Sequence, residues 1–316
     1  MSNTKKIRIM APASSANLGP GFDVFALALQ EPSDTVEISL TTNEEIKLEI
    51  DGDVSSSIPV SPTENSGGLV AKAIFERYGL KKGCKIRISK GIRPGFGLGS
   101  SAASAAATAF GLNILHNLNL TSNQLVSLAA EGEKASAGVA HLDNVAASLL
   151  GGFVIVRSNM FEAIRLRPPP NLQVSIAYPL ISTPPKKTGI ARNVIPRQVE
   201  LNKMTNNVAS ASSMVAGLIE GDLDLLGRSM SDEVVEPARE SLVPGYSVVR
   251  EAALDAGALG VAISGAGPSI IALVDRTKIS PATISRAMKK GFESKGLPAH
   301  AFATKTGEGA KLLGWV

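Results

Sequence analysis

Residues 93–112 read RPGFGLGSSAASAAATAFGL, a loop of bare glycines and paired serines running straight into small helix formers. A helix N-terminus carries unpaired N–H groups and the positive end of the helix dipole, so a loop that feeds one is an anion site wherever side chains leave room. Gly95, Gly97 and Gly99 remove those side chains. Ser100 and Ser101 add hydroxyls where a phosphate or its Mg²⁺ would sit, and Ala102, Ala103, Ala105, Ala106 and Ala107 allow close packing behind the loop. The glycines alone read equally well as a turn closed by a serine N-cap. No Walker lysine follows, and the run G-F-G-L-G-S at 95–100 lacks the dinucleotide spacing GxGxxG, so the ordinary NTPase and dinucleotide readings weaken.

The elements that must position this loop follow from periodicity. KKIRIMAP (5–12), TVEISL (35–40), IKLEI (46–50) and CKIRIS (84–89) alternate as half-buried strands, and GGLVAKAIFERYGL (67–80) reads as a helix. The glycine loop and a helix near 100–116 come next, then helices near 121–136 and 143–150 and a strand at FVIVR (153–157). RPPPN (167–171) is the clearest break, since consecutive prolines suit an extended connection. Beyond it, LQVSIAYP reads as a strand, 197–219 and 245–256 as helices, and GVAISGAGPSIIALV (260–274) as strand, turn, strand. A helix at 280–296 and a strand at PAHAFATK (298–305) close the series. Strands outnumber βαβ units, which predicts an α+β chain in two halves, 1–167 and 168–316, without repeats.

Composition bounds the partners. With 44% hydrophobic and 19% charged residues, 316 residues predict a folded chain able to bury one or two cores. A net charge of +4 with 4% aromatic residues gives no basic stripe interleaved with stacking rings, so nucleic acid is a poor partner. Neither a signal peptide nor an apolar run of membrane-spanning length is legible, which predicts a soluble protein. Cys84 stands alone, so no intrachain disulfide can form, and a cytoplasmic location is the simplest expectation.

Three stretches, taken in order, carry a resemblance. PGFGLGSSA (94–102) resembles the phosphate loop of the GHMP small-molecule kinases, APASSANLGPGFDVFALAL (11–29) their N-terminal substrate motif, and GVAISGAGPSIIAL (260–273) their C-terminal glycine motif. Phe96 in the loop and Ala147 after DNVA depart from the usual small residue and proline. The resemblance implies an N-terminal half like ribosomal protein S5 with a left-handed βαβ crossing, a ferredoxin-like C-terminal half, and a site in the cleft between them. SSANLGPGFDVFALAL, HLDNVAASLLGGFV and SDEVVEPARESLVPGY resemble members that act on L-homoserine. That implies phosphorylation of its side-chain hydroxyl by ATP with Mg²⁺, with mevalonate, shikimate or a sugar as the alternative acceptor, and a homodimer.

The same resemblance implies roles residue by residue. Arg192 and Arg239 match positions that clamp the substrate carboxylate, which suits a permanently charged planar fork. Asp23 and Asn17 match the partners of the ammonium and polar groups, although both are also favoured turn residues. Asn144 would position the reacting hydroxyl, with His141 lining the pocket and Asp143 the nearest candidate base. Glu133 would join Ser101 on the metal, Glu131 being the competing reading. The nucleotide would lie along Arg93, Pro94, Gly95, Phe96, Gly97, Leu98, Gly99, Ser100, Ser101, Ala102 and Ala103, with Asn65 near the base and Thr188 near the phosphates. Gly265 and Gly267 would form a turn that buttresses the loop.

Overall fold

The computed structural model describes residues 5–52, 58–137, 141–184 and 187–316. Its first element is a long antiparallel hairpin, β1 (Lys6–Asn17) and β2 (Gly21–Leu40). The alternation read at 5–12 and 35–40 places Ile7, Ile9, Val36 and Ile38 fully inside. Both strands run further than that pattern, because Ala13, Ala16, Ala26 and Ala28 are small enough for the strands to be covered on both faces, which erases the alternation. Asn17 and Leu18 take left-handed conformations at the hairpin end, a geometry that asparagine tolerates best among side-chain-bearing residues.

β3 (Ile46–Asp51) and β4 (Cys84–Ser89) pair in parallel, connected through α1 (Ser66–Tyr78), and β4 also pairs antiparallel with β2. Then follow α2 (Ser100–Leu115), α3 (Ser122–Ala130), α4 (Lys134–Ala137) and α5 (Asp143–Leu150), and the hairpin of β5 (Phe153–Arg157) and β6 (Glu162–Leu166) on the β2 side. α2 lies on the sheet so closely that a Cβ on Gly111 would stand 2.7 Å from Ile38 Cδ1. Its alanines therefore do structural work: small side chains let the helix carrying the glycine loop pack at the bottom of the core.

β7 (Leu172–Pro179) starts the second sheet after the proline run. α6 (Lys187–Asn193), α7 (Leu201–Glu220), α8 (Leu223–Arg228), α9 (Val235–Arg239) and α10 (Tyr246–Asp255) follow. β8 (Gly260–Ile263), β9 (Ile270–Asp275), α11 (Pro281–Glu293) and β10 (Ala299–Lys305) complete an antiparallel sheet of order β10-β7-β9-β8. α10 and α11 cover one face of it through Val249, Met288 and Phe292. The last strand, β11 (Lys311–Trp315), returns to the first sheet and pairs with β1 at its edge. Core residues of β7, α7 and α8 join the first sheet's core, so one face of the second sheet shares that interior while the other has its own core under α10 and α11. Among the described residues no helix is long and apolar enough to cross a membrane.

Candidate active site

Where the two halves meet, a cleft of about 570 Å³ opens between the β1–β2 turn, the glycine loop, α5, α6 and the Gly265–Gly267 turn, a size suited to small molecules. Gly95, Gly97 and Gly99 all have positive φ, and a Cβ on Gly97 or Gly99 would stand 2.3 Å from Ser264 O or 2.2 Å from Ser14 Oγ. Glycine is required there for conformation and for space. The buttress is visible: Ser264 Oγ donates to Gly97 O (2.7 Å) and Ser269 N to Phe96 O (3.3 Å). Below the loop, Lys90 pairs with Asp34 and donates to Ser100 O (2.8 Å) and Ser104 Oγ (3.0 Å), while Asp34 accepts from the Gly91 and Ile92 amides. Both side chains are buried, and removing one partner of such a pair costs about 3–5 kcal/mol. This pair ties the start of α2 to β2.

The two serines part company. Ser100 turns its hydroxyl back to Ile92 O (2.8 Å), so it holds the loop, whereas Ser101 donates to Glu133 Oε1 (2.7 Å) in the cleft. Burial pushes the Glu133 carboxyl up to about 7, against the pull of Ser101. Glu131 lies on the surface paired with Lys134 at 2.5 Å. Across the cleft, Asn144 Oδ1 accepts from Ser14 Oγ (2.9 Å), and Asp143 Oδ1 accepts from the Asn144 amide N–H (2.7 Å). Burial, with the neighbouring Asp23 charge, pushes Asp143 up to about 6.

In the same cleft, Arg192 Nη2 bonds both Asp23 oxygens (2.9 and 2.8 Å) and lies 3.3 Å from His141 Nδ1. Arg192 Nε is buried, and among the described residues it has no hydrogen-bond partner. Burial pushes the His141 imidazole below its ordinary value against the pull of Asp23. Arg239 is buried, donates to Ala191 O (3.0 Å) and Gly265 O (2.9 Å), and shares the Phe22 ring with Arg192, their guanidinium carbons 5.1 and 5.2 Å from its centroid.

The structure brings Asn17, Asp23, Asn65, Arg93, Pro94, Gly95, Gly97, Leu98, Gly99, Ser100, Ser101, Glu133, His141, Asp143, Asn144, Thr188, Arg192 and Arg239 onto the walls of this one cleft. Phe96, Ala102 and Ala103 are buried behind it, Phe96 between Tyr178 (4.9 Å between ring centres) and the Arg93 guanidinium. Two asparagines are occupied by backbone. Asn17 donates to Gly265 O and accepts from the Asp23 N–H, and Asn65 caps α1 through Gly67 N while donating to Pro59 O. Ser14, Phe22, Asp34, Lys90 and Lys187 also line or support the cleft, although no local pattern in the sequence marks them. Lys90 follows β4 at a position where a lysine is by default solvated, and only its closeness in space to Asp34 reveals the pair.

Two family models match, that of the GHMP kinases N terminal domain over residues 66–152 and that of the GHMP kinases C terminal domain over 214–294. The chain belongs to the GHMP kinase family, whose fold its two layers and glycine loop display. Within it, the chain resembles curated homoserine kinases along most of its length. That of Methanocella arvoryzae is 41% identical over 97% of each chain, and that of Methanococcus maripaludis 44% identical over 85% of this chain and 88% of its own. The crystal structure of homoserine kinase from Cytophaga hutchinsonii superposes with a TM-score of 0.91 at 36% identity, covering 99% of both chains.

Proposed function

We propose that this chain transfers the terminal phosphoryl group of ATP to the side-chain hydroxyl of L-homoserine, giving O-phospho-L-homoserine for threonine biosynthesis. One observation carries the reading: a carboxylate, Asp23, and two guanidiniums, Arg192 and Arg239, gather around Phe22 in the cleft that also holds Ser101 and Glu133. An amino acid with a terminal hydroxyl offers an ammonium to Asp23 and a carboxylate to the arginines, replacing the ion pair between Asp23 and Arg192. The buried Arg192 Nε is a donor that such a carboxylate satisfies. Mevalonate and shikimate bring a carboxylate but no ammonium, so they would draw Arg192 from Asp23 without replacing it, and a sugar brings neither charge.

The glycine loop and the first N–H groups of α2 receive the phosphates, with Thr188 beside them and Asn65 toward the base. Glu133 and Ser101 suit Mg²⁺, which commonly takes one or two protein oxygens and completes its shell with phosphate and water. A buried carboxyl held near neutrality by desolvation is one that a cation would ionise. When bound, the metal neutralises charge on the phosphates. His141 lines the substrate pocket, and Asn17 fixes the turn that presents Asp23. Asn144 orients the hydroxyl, and Asp143, accepting from the Asn144 N–H, orients Asn144. In a loose transition state the hydroxyl proton leaves late, so position and charge neutralisation supply most of the acceleration.

The halves 1–167 and 168–316 are the proposed domains. A homodimer accompanies the reading, supported by the exposed apolar row Leu201, Met204 and Val208 on α7, and the lone buried Cys84 thiol fits a cytoplasmic location.

The reading is tested by ADP release with ATP, Mg²⁺ and one candidate alcohol at a time. L-homoserine gives turnover, and mevalonate, shikimate and galactose stay at background; turnover with one of these and none with homoserine overturns it. For the proton, Asp143→Asn keeps kcat within about tenfold of the parent, below the ~10²–10⁴-fold that a general base contributes. A folded variant with intact substrate binding and a thousandfold lower kcat makes Asp143 the base.

A further inference from the structure

Lys187 opens α6, five residues before Arg192, and lines the same cleft as Ser101, Glu133 and Asn144. Its Nζ donates to Gly95 O (3.3 Å) in the glycine loop and lies 3.8 Å from where a Cβ on Gly267 would stand. The amine thus spans the gap between the two glycine turns. Among the described residues it forms no salt bridge, and the charge that acts on it is that of Arg239, of the same sign. A cation packed toward another, with one carbonyl as its partner, is unfavourable unless an anion joins it.

The other cations near the loop are committed elsewhere. Lys90 is enclosed by Asp34, Ser100 O and Ser104, and Arg93 is exposed and stacked on Phe96. Resting on the kinase reading above, we infer that Lys187 is a catalytic residue that binds the terminal phosphoryl group of the nucleotide and carries the charge developing on its oxygens during transfer. In that transfer the bond from the terminal phosphorus to the β–γ bridging oxygen breaks, and a bond from that phosphorus to the substrate hydroxyl oxygen forms. The hydroxyl proton passes to a phosphate oxygen or water, and ADP leaves with the bridging oxygen's electron pair. Lys187 forms no covalent bond; its N–H groups bond the phosphoryl oxygens more strongly as charge accumulates there. Burial, with Arg239, draws the amine down to about 7, and an arriving phosphate restores its full charge.

The test compares ADP with the non-hydrolysable β,γ-imido analogue of ATP, both with Mg²⁺, by titration calorimetry on the full chain, alongside kcat with L-homoserine. In Lys187→Met and Lys187→Gln the analogue binds about 10–100-fold more weakly, the range of one charge-assisted hydrogen bond. ADP affinity stays within about threefold and kcat falls at least tenfold, while Lys187→Arg recovers part of both losses. Equal weakening of ADP and analogue, or unchanged affinity and kcat in both neutral variants, overturns the assignment. A parent protein that binds both nucleotides and turns over leaves the kinase reading standing in either case, and a parent that binds neither overturns both.

Discussion

Arg239→Leu raises the KM for L-homoserine about 10–100-fold and leaves the KM for ATP within about threefold. A charge-assisted hydrogen bond is worth ~1.5–3 kcal/mol, and each 1.4 kcal/mol is tenfold. The effect is large because Arg239 does two things at once. Its guanidinium faces Phe22 beside Arg192, and its N–H groups hold Ala191 of α6 and Gly265 of the buttressing turn. Losing it removes one arm of the proposed carboxylate clamp and loosens the helix that carries the other. Arg239→Lys rescues little, since a point charge on a flexible stem cannot reproduce the two backbone contacts of a rigid fork. Steady-state kinetics with each substrate varied in turn decides: equal losses for ATP and homoserine contradict the clamp.

The second large effect is at Glu133. Glu133→Gln lowers kcat about 10²-fold at limiting Mg²⁺ and is partly rescued by excess metal, Ser101→Ala behaves alike, and Glu131→Gln is nearly silent. Glutamine resembles the protonated acid, which is the form that burial favours below about pH 7, so the variant folds as well as the parent. The sign of the pH dependence follows from the same shift. A carboxyl raised to about 7 is protonated and unable to ligate below that pH and ionised above it, so activity at limiting Mg²⁺ rises through pH 7 in the parent. In Glu133→Gln that rise is absent. Two glutamine variants that behave alike contradict the ligand assignment.

How much of this the residues reveal on their own depends on distance along the chain. The glycine loop, its helix and the turn at 265–267 are local patterns, legible because glycine and small residues answer a local backbone demand. So are β4, β5, β7, β10 and α11, where alternation or helical spacing survives. The strand segment Phe25–Leu29 is hidden because it is buried on both faces, and α6, α8 and α9 because they are too short to show a period. β11 presents Leu312, Leu313 and Trp315 partly to solvent, and only its pairing with β1 identifies it. Within the site, residue type could not separate Ser100, which holds the loop, from Ser101, which faces Glu133. Nor could it show that the Asn17 and Asn65 amides have backbone partners, or that Lys90 and Asp34 are buried together. These are contacts between elements far apart in sequence, and no local preference encodes them.

The central claim is that the cleft reads both charges of an amino-acid alcohol. It is tested most directly by comparing kcat/KM for L-homoserine with that for 4-hydroxybutyrate, which lacks the ammonium, and 3-amino-1-propanol, which lacks the carboxylate. A site built to bond a polar group rejects the analogue without it, because its own partner is left uncompensated. Each analogue therefore loses about 10²-fold or more, the first through Asp23 and the second through Arg192 and Arg239. Turnover of either analogue within about threefold of homoserine contradicts the account.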